Sequence, residues 1–329
     1  MKREKNVQIQ SIRGFAAIMI VIFHYTYRYD NLYGMGNISF PTLELWGTVV
    51  VIFFFFLSGF LSFQNATDEF DVKKYWKNKF SSLYLSYFIS VILIYVIVSL
   101  FGLPGREVSF VDLILNICLM NGFIGTPYVD GAHWYMTFII VMYIYWMFIR
   151  MFKIQNKVIC VPAVLVISKI LSAISRFLPQ PFANVISVLS GRQYIFYFTL
   201  GIAIACILKL DSKSKMEVIY YVYLVAIGIY ILRIEGLTTV LMLCIGIVFV
   251  LLAQKKTNQN SFIKISGFIG NISYQLYLVH QNIGYIIINR MKDCAPFPIV
   301  LIFTICVVIA ISSIIWRLSN AVIKKVSQS

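Results

Sequence analysis

Long apolar runs recur from one end of the chain to the other, each close to the ~20 residues a helix needs to cross a ~30 Å hydrocarbon core. Short polar segments separate them. Ten spans are predicted, at 11–28, 45–63, 81–102, 132–152, 158–175, 193–209, 217–234, 237–253, 267–289 and 298–318. An open sheet would leave unpaired backbone groups in lipid, so each span is expected to be a helix. The fold class that follows is an all-α integral membrane protein, a bundle of about ten transmembrane helices forming a single domain over 1–329.

The basic residues test this division, because Lys and Arg concentrate in cytoplasmic loops. With both termini cytoplasmic, the inner segments hold 19 of the 28 Lys and Arg: Lys2, Arg3, Lys5, Lys73, Lys74, Lys77, Lys79, Arg150, Lys153, Lys157, Lys209, Lys213, Lys215, Lys255, Lys256, Lys264, Arg317, Lys324 and Lys325. The outer segments hold Arg28, Arg106, Arg176, Arg192, Arg233, Arg290 and Lys292. Only Arg13 and Lys169 are left inside the membrane.

Composition changes the picture little, since 60% hydrophobic against 12% charged residues already sets the chain apart from soluble domains. The net charge of +15 is accounted for by basic loops facing anionic inner-leaflet lipid, so membrane lipid is the expected partner and nucleic acid is not. The first apolar run lacks a small-residue cleavage site after it and is expected to stay as the first helix. Five of the six cysteines lie in apolar segments, leaving Cys294 outside, so no disulfide framework is expected. No internal repeat is visible. The longest outer segments, 103–131 and 176–192, are short for a separate extracellular domain, and 113–125 has the pattern of a re-entrant half helix. The chain ends about ten residues after its last predicted span, so no fused extracellular domain is expected.

The candidate chemistry lies in the helices. Arg13 and His24 are eleven residues apart, which brings them within about 20° of one helical face and roughly 16 Å apart along the axis. Ionisable groups in a bilayer usually face a bundle interior or a wet path. The bland alternative is an Arg13 that snorkels to lipid phosphates and a structural His24. The other histidines weigh against it, since His133 opens the fourth span and His280 lies inside the ninth. Ser273, Tyr277 and His280 follow i, i+4, i+7 spacing, so one face offers a hydroxyl, a phenol and an imidazole suited to a hydroxylated ligand. No pair of histidines has helical ligand spacing, so no metal is expected.

Four stretches carry a resemblance. IRGFAAIMIVIFHY, with ten residues between Arg13 and His24, resembles the first helix of the membrane acyltransferase 3 family, in which an Arg precedes the catalytic His, here His24. FFFFLSGFLSF resembles its aromatic run into Ser-Gly-Phe, here Ser58, Gly59 and Phe60. HWYMTFIIVMYIYW resembles its Trp-bearing helix, with His133 and Trp134, and IGNISYQLYLVHQ is similar to its late helix. The likeness runs in the family's order from about residue 8 to 285. One departure stands out: the family's basic pair after the second helix, Arg-x-x-Arg before Tyr-Pro, is represented by WKNKFSSLYLSY, with Lys79 kept but Ser82 at the second basic position and Leu85 at the proline. Lys73, Lys74 or Lys77 are the available substitutes.

The resemblance implies an enzyme, an O-acyltransferase of the bacterial cell membrane with no tightly bound cofactor. Its co-substrate would be cytoplasmic acyl-CoA, acetyl-CoA above all, held through Lys77, Lys79 and Arg13. Its acceptor would be a hydroxyl of a surface polysaccharide, an exopolysaccharide or a lipid-linked sugar precursor, with polysaccharide biosynthesis proteins as neighbours. His24 would act as general base, with a covalent acyl-His as a second route. Arg13 would grip the donor or polarise its carbonyl. His280, Tyr277, Ser273, His133, Trp134 and Ser58 would line the acceptor side. A polysaccharide or small-molecule exporter without transferase activity is the competing reading, for which paired broken helices in two repeated halves would be the sign.

Overall fold

The computed structural model describes residues 6–34, 43–209, 215–254 and 261–326. The expected basic positions Lys2, Arg3, Lys5, Lys213, Lys255 and Lys256 lie outside the described residues. Every regular element among those described is a helix. In chain order, besides the four-residue helix Asn121–Ile124, these are α1 (Val7–Tyr33), α2 (Glu44–Gln64), α3 (Val72–Phe101), α4 (Phe110–Ile117), α5 (Gly131–Met151), α6 (Cys160–Ser175), α7 (Phe182–Leu189), α8 (Tyr194–Ile207), α9 (Lys215–Leu252), α10 (Ser261–Met291) and α11 (Phe297–Val326).

Seven of the helical stretches among the described residues are long and apolar enough to cross a membrane by length and composition. The ten predicted spans map onto this set with three adjustments. α6 is a shorter apolar helix. α10, which carries Ser, Asn, Gln and His residues along its length, is not among the seven. The seventh and eighth predicted spans are the two arms of α9, joined at Gly236, whose φ of 82° only glycine adopts readily. The arms fold back on each other. Tyr220 on the first arm donates to the Lys157 carbonyl (3.4 Å), and the end of the second arm meets Asn6, whose amide donates to the Ala253 carbonyl (2.7 Å), and Gln64 (3.1 Å to Gln254). Those contacts lie on one face of the bundle, where Arg150 at the end of α5 also reaches the Thr67 carbonyl just past α2. The stretch expected to be re-entrant forms the eight-residue α4, capped by Ser109, and then turns at Leu119 (φ 59°). Buried Asn116 ties the turn together through the Asp112 and Pro127 carbonyls and the Val129 N–H.

Apolar side chains gain little from meeting each other instead of lipid, so helices in a bilayer associate through close packing and polar contacts. Two glycine contacts do this here. α1 and α10 run parallel and press backbone to backbone: a Cβ on Gly14 would stand 2.0 Å from the Ser266 carbonyl oxygen, and one on Gly270 would stand 1.8 Å from that of Gln10. α2 and α8 do the same through Gly59 and Gly201, each within 2.0 Å of a facing carbonyl oxygen if given a Cβ. Gly59 of the Ser-Gly-Phe stretch therefore serves helix contact. Among the largest fully buried side chains of the core are the aromatic residues Tyr25, Tyr29, Phe55, Phe56, Phe60, Tyr87, Phe198 and Tyr285. α9 shows the opposite pattern, with Val222, Val225, Ile229, Leu237, Leu241 and Phe249 exposed as a lipid-facing surface would be.

Candidate active site

A cavity of about 1220 Å³ runs between α1, α2, α3, α5 and α10. Its wide end is framed by the segment from Asn65 to Asp71 and by Lys74, Asn78 and Lys79; its deep end is walled by His24, Ala132, Trp134, Tyr135, Tyr277 and His280. Arg13 and His24 both line it, as their shared helical face requires.

Arg13 lies part-way along the cavity. One guanidinium nitrogen donates to Gln10 Oε1 (3.1 Å) and another to Ser273 Oγ (3.1 Å), while the Ser273 hydroxyl donates to the Gly270 carbonyl (2.8 Å). Both partners are neutral, so the cationic charge remains available to an anionic ligand. The Gly14–Gly270 contact brings Ser273 within reach, which links a packing detail directly to the site.

His24 begins a stretch, His24–Arg28, where α1 widens into π-type turns, a distortion common at functional positions. Its Nδ1 lies 3.1 Å from Tyr285 Oη on α10. The tautomer that donates from Nδ1 to that oxygen leaves Nε2 with a free lone pair. The ring stands edge to face against His280, centroids 4.8 Å apart. His280 is fully buried within the wall, its carbonyl accepting from Tyr25 Oη (2.6 Å). The space for the Tyr25 ring is left by Gly284, where a Cβ would stand 2.2 Å from it.

Beside His280, the turn that opens α5 clamps α10. Asp130, completely buried, accepts from the Ala132 N–H with one oxygen and from the Asn282 N–H with the other, both at 2.9 Å. His133 donates from Nε2 to the Leu278 carbonyl (2.9 Å), Tyr277 Oη donates to the Ala132 carbonyl, and Asn282 Nδ2 donates to the Val129 carbonyl (2.9 Å). Four hydrogen bonds thus fix residues 277–282 against residues 129–133.

The predicted site residues divide accordingly. Arg13, His24, Ser58, Lys79, Trp134, Ser273, Tyr277 and His280 line one cavity. Ser58 Oγ is 3.4 Å from Tyr135 Oη, and Trp134 packs on the Tyr194 ring (5.0 Å). His133 is buried behind the wall and acts on α10, away from the cavity lining. Lys77 is exposed and lies outside the lining, its carbonyl accepting from the Ser81 hydroxyl (2.7 Å). Lys79 reaches inward, its ammonium 3.3 Å from the centre of the Tyr143 ring, and Lys74 joins it at the wide end. Ser82, at the position of the family's second basic residue, is exposed and donates to the Lys79 carbonyl (3.3 Å). It lies within a second π-type stretch at Phe80–Tyr84.

Sequence reasoning passed over Arg150 and Asp130, and, of the tyrosines that line the cavity, named Tyr277 alone. Arg150 is buried, reaches the carbonyls of Thr67 and Glu69, and sits over the Phe70 ring (5.2 Å), tying the segment that frames the wide end to α5. Its setting among Phe148, Ile149 and Met151 is the signal that it lies within the span rather than in the following loop. Tyr135, Tyr143 and Tyr274 line the cavity, and an aromatic on an apolar helix carries no mark that separates wall from core. Among the described residues no three His, Cys, Asp or Glu side chains gather as a metal site would require.

A family profile described as an acyltransferase domain matches residues 6–317, nearly the whole chain. No curated protein and no solved structure matches it.

Proposed function

The chain belongs to the acyltransferase 3 family of membrane acyltransferases, and from that premise we propose that it moves an acetyl group from cytoplasmic acetyl-CoA to a hydroxyl of a surface polysaccharide or its lipid-linked precursor in the cell membrane of a bacterium. The observation that carries this reading is one cavity lined by cations toward its exposed side and by imidazoles at its buried side. Lys74, Lys79 and Arg13 are spaced along a passage that finishes at His24 and His280. An elongated, anionic thioester donor fits such a passage phosphates first at the rim and acyl group innermost. The basic bias of the segments on that side supports a cytoplasmic opening.

In the reaction, His24 Nε2 takes the proton of the acceptor hydroxyl as its oxygen attacks the thioester carbonyl. The new bond is O–C; the bond that breaks is C–S, and the proton passes from the imidazolium to the departing thiolate to give free CoA thiol. Tyr285 Oη can accept from the Nδ1–H of His24, and in that tautomer Nε2 is the lone pair that serves as base. Arg13 binds the donor from a fixed position, because Gln10 and Ser273 hold its guanidinium. Trp134, Tyr135 and Tyr277 exclude water from the acyl end.

The test is mass spectrometry of the host's surface polysaccharide from a deletion strain complemented with wild type or with His24→Ala. An acyl ester that disappears on deletion and returns with wild type alone is the expected result. Unchanged ester together with polymer accumulating inside the cell would identify an exporter instead.

A further inference from the structure

The protonation of His280 is set by its own helix. Its Nδ1 lies 2.8 Å from the Tyr277 carbonyl oxygen and 3.2 Å from that of Leu276. Carbonyls only accept, so Nδ1 carries the proton and Nε2 is left as a lone pair. That Nε2 is buried and no donor among the described residues reaches it. Leaving a buried acceptor unpaired opposes folding, so a chain that keeps one against its catalytic base invites a donor brought by the substrate. The clamp from Asp130, His133 and Tyr277 keeps the ring where it is.

We propose that His280 Nε2 reads a second hydroxyl on the acceptor, on the carbon next to the one acylated, so that the site takes vicinal diols of a sugar. The inference rests on the acyl-transfer reading above. The attacking hydroxyl has one proton, and His24 takes it. A second lone pair, on a ring packed edge to face on His24 with centroids 4.8 Å apart, calls for a second O–H close to the first, and the hydroxyl on the adjacent carbon is the nearest one a sugar can offer. His280 is then a specificity-determining residue: it selects which hydroxyl attacks by holding its neighbour. The amide N–H groups of the donor's pantetheine arm are the other donors that could enter the cavity, and the experiment separates the two.

Periodate cleaves the bond between two carbons only when both carry free hydroxyls, so an ester on either one protects the pair. Surface polysaccharide from the host, from a deletion strain, and from that strain complemented with His280→Phe or His280→Gln is assayed for ester and for periodate uptake, before and after mild alkali. The expected wild-type result is that alkali raises periodate uptake in step with the ester it releases. His280→Phe, which cannot accept a hydrogen bond, lowers the protected ester by at least about tenfold at equal protein level in the membrane. His280→Gln, which retains an acceptor oxygen, recovers part of it. Ester that depends on the protein but leaves periodate uptake unchanged by alkali overturns the diol and leaves acyl transfer standing. Ester equal in wild type and deletion removes the acyl-transfer reading and this inference with it. An acetyl-CoA KM that rises in His280→Phe when donor hydrolysis is measured without acceptor assigns Nε2 to the donor, which also overturns it.

Discussion

His24 on α1 and His280 on α10 stand edge to face with ring centroids 4.8 Å apart, although they are 256 positions apart in the sequence. Their meeting depends on two helices that run parallel and touch backbone to backbone at Gly14 and Gly270. Packing at one depth of the membrane thereby sets the chemistry at another.

Gly270→Ala is expected to unfold or misregister the α1–α10 pair, because the new Cβ would stand 1.8 Å from the Gln10 carbonyl oxygen and backbone cannot step aside as a flexible side chain would. The loss should be several kcal/mol, at least the ~1–3 kcal/mol typical of overpacking. Gly228→Ala on α9 meets open space and should be neutral or stabilising by up to ~1 kcal/mol. Thermal unfolding of the two variants in detergent gives the comparison; equal melting temperatures would contradict the close contact.

Asp130→Ala removes two hydrogen bonds from a buried carboxylate, those to the N–H groups of Ala132 and Asn282. At ~1.5–3 kcal/mol for a bond to a charged group, a loss of about 3 kcal/mol or more is expected, with transfer falling because residues 277–282 lose their anchor. Asp130→Asn can keep one of the two and should fall between. Melting curves and ester yield for the three proteins test the order, which a wild-type yield in Asp130→Ala would break.

Arg13→Lys keeps the charge but a single ammonium cannot hold the Gln10 and Ser273 oxygens in the same planar arrangement. The expected effect is a rise of about tenfold in KM for acetyl-CoA, equivalent to ~1.4 kcal/mol, with a smaller rise for Ser273→Ala. Steady-state kinetics on the purified protein decides the matter, and an unaltered KM in Arg13→Lys would remove Arg13 from donor binding.

Lys79→Ala and Lys77→Ala should differ, since Lys79 lines the cavity over the Tyr143 ring whereas Lys77 is outside the lining and exposed. Donor KM is expected to rise several-fold for Lys79→Ala, with the gap to wild type narrowing as salt screens the contact, and to change little for Lys77→Ala. Equal effects of the two substitutions, measured across a salt series, would argue that only the general basicity of the segment matters.

Much of the fold was legible because the bilayer leaves few choices. A run of twenty apolar residues has one way to satisfy its backbone in lipid, which is to become a helix, and the ten predicted runs all appear as helical arms. α10 was legible as a span despite its polar side chains, and those side chains are the ones that build the site. The common face of Arg13 and His24 followed from helical geometry within one element, and both line the cavity. Lys77 and His133 show the limit of such reasoning. Both sit in plausible positions along the chain, yet one faces away from the cavity and the other turns into the packing behind it, because which side of a helix meets a neighbour is decided by the neighbour.

The sequence by itself determined the all-helical class, the approximate spans, and the pairing of a cation and an imidazole on the first helix, all properties of chemistry repeating at a fixed period along one strand of chain. Only the tertiary structure decided that His280 is the ring opposite His24, that Asp130 and His133 hold α10 from behind the cavity lining, and that Arg150 ties down the segment framing the wide end. Those relations join residues on different helices, and within lipid the register between helices is fixed by where small residues let backbones touch and where buried polar groups find each other. Neither is written in the periodicity of any single helix.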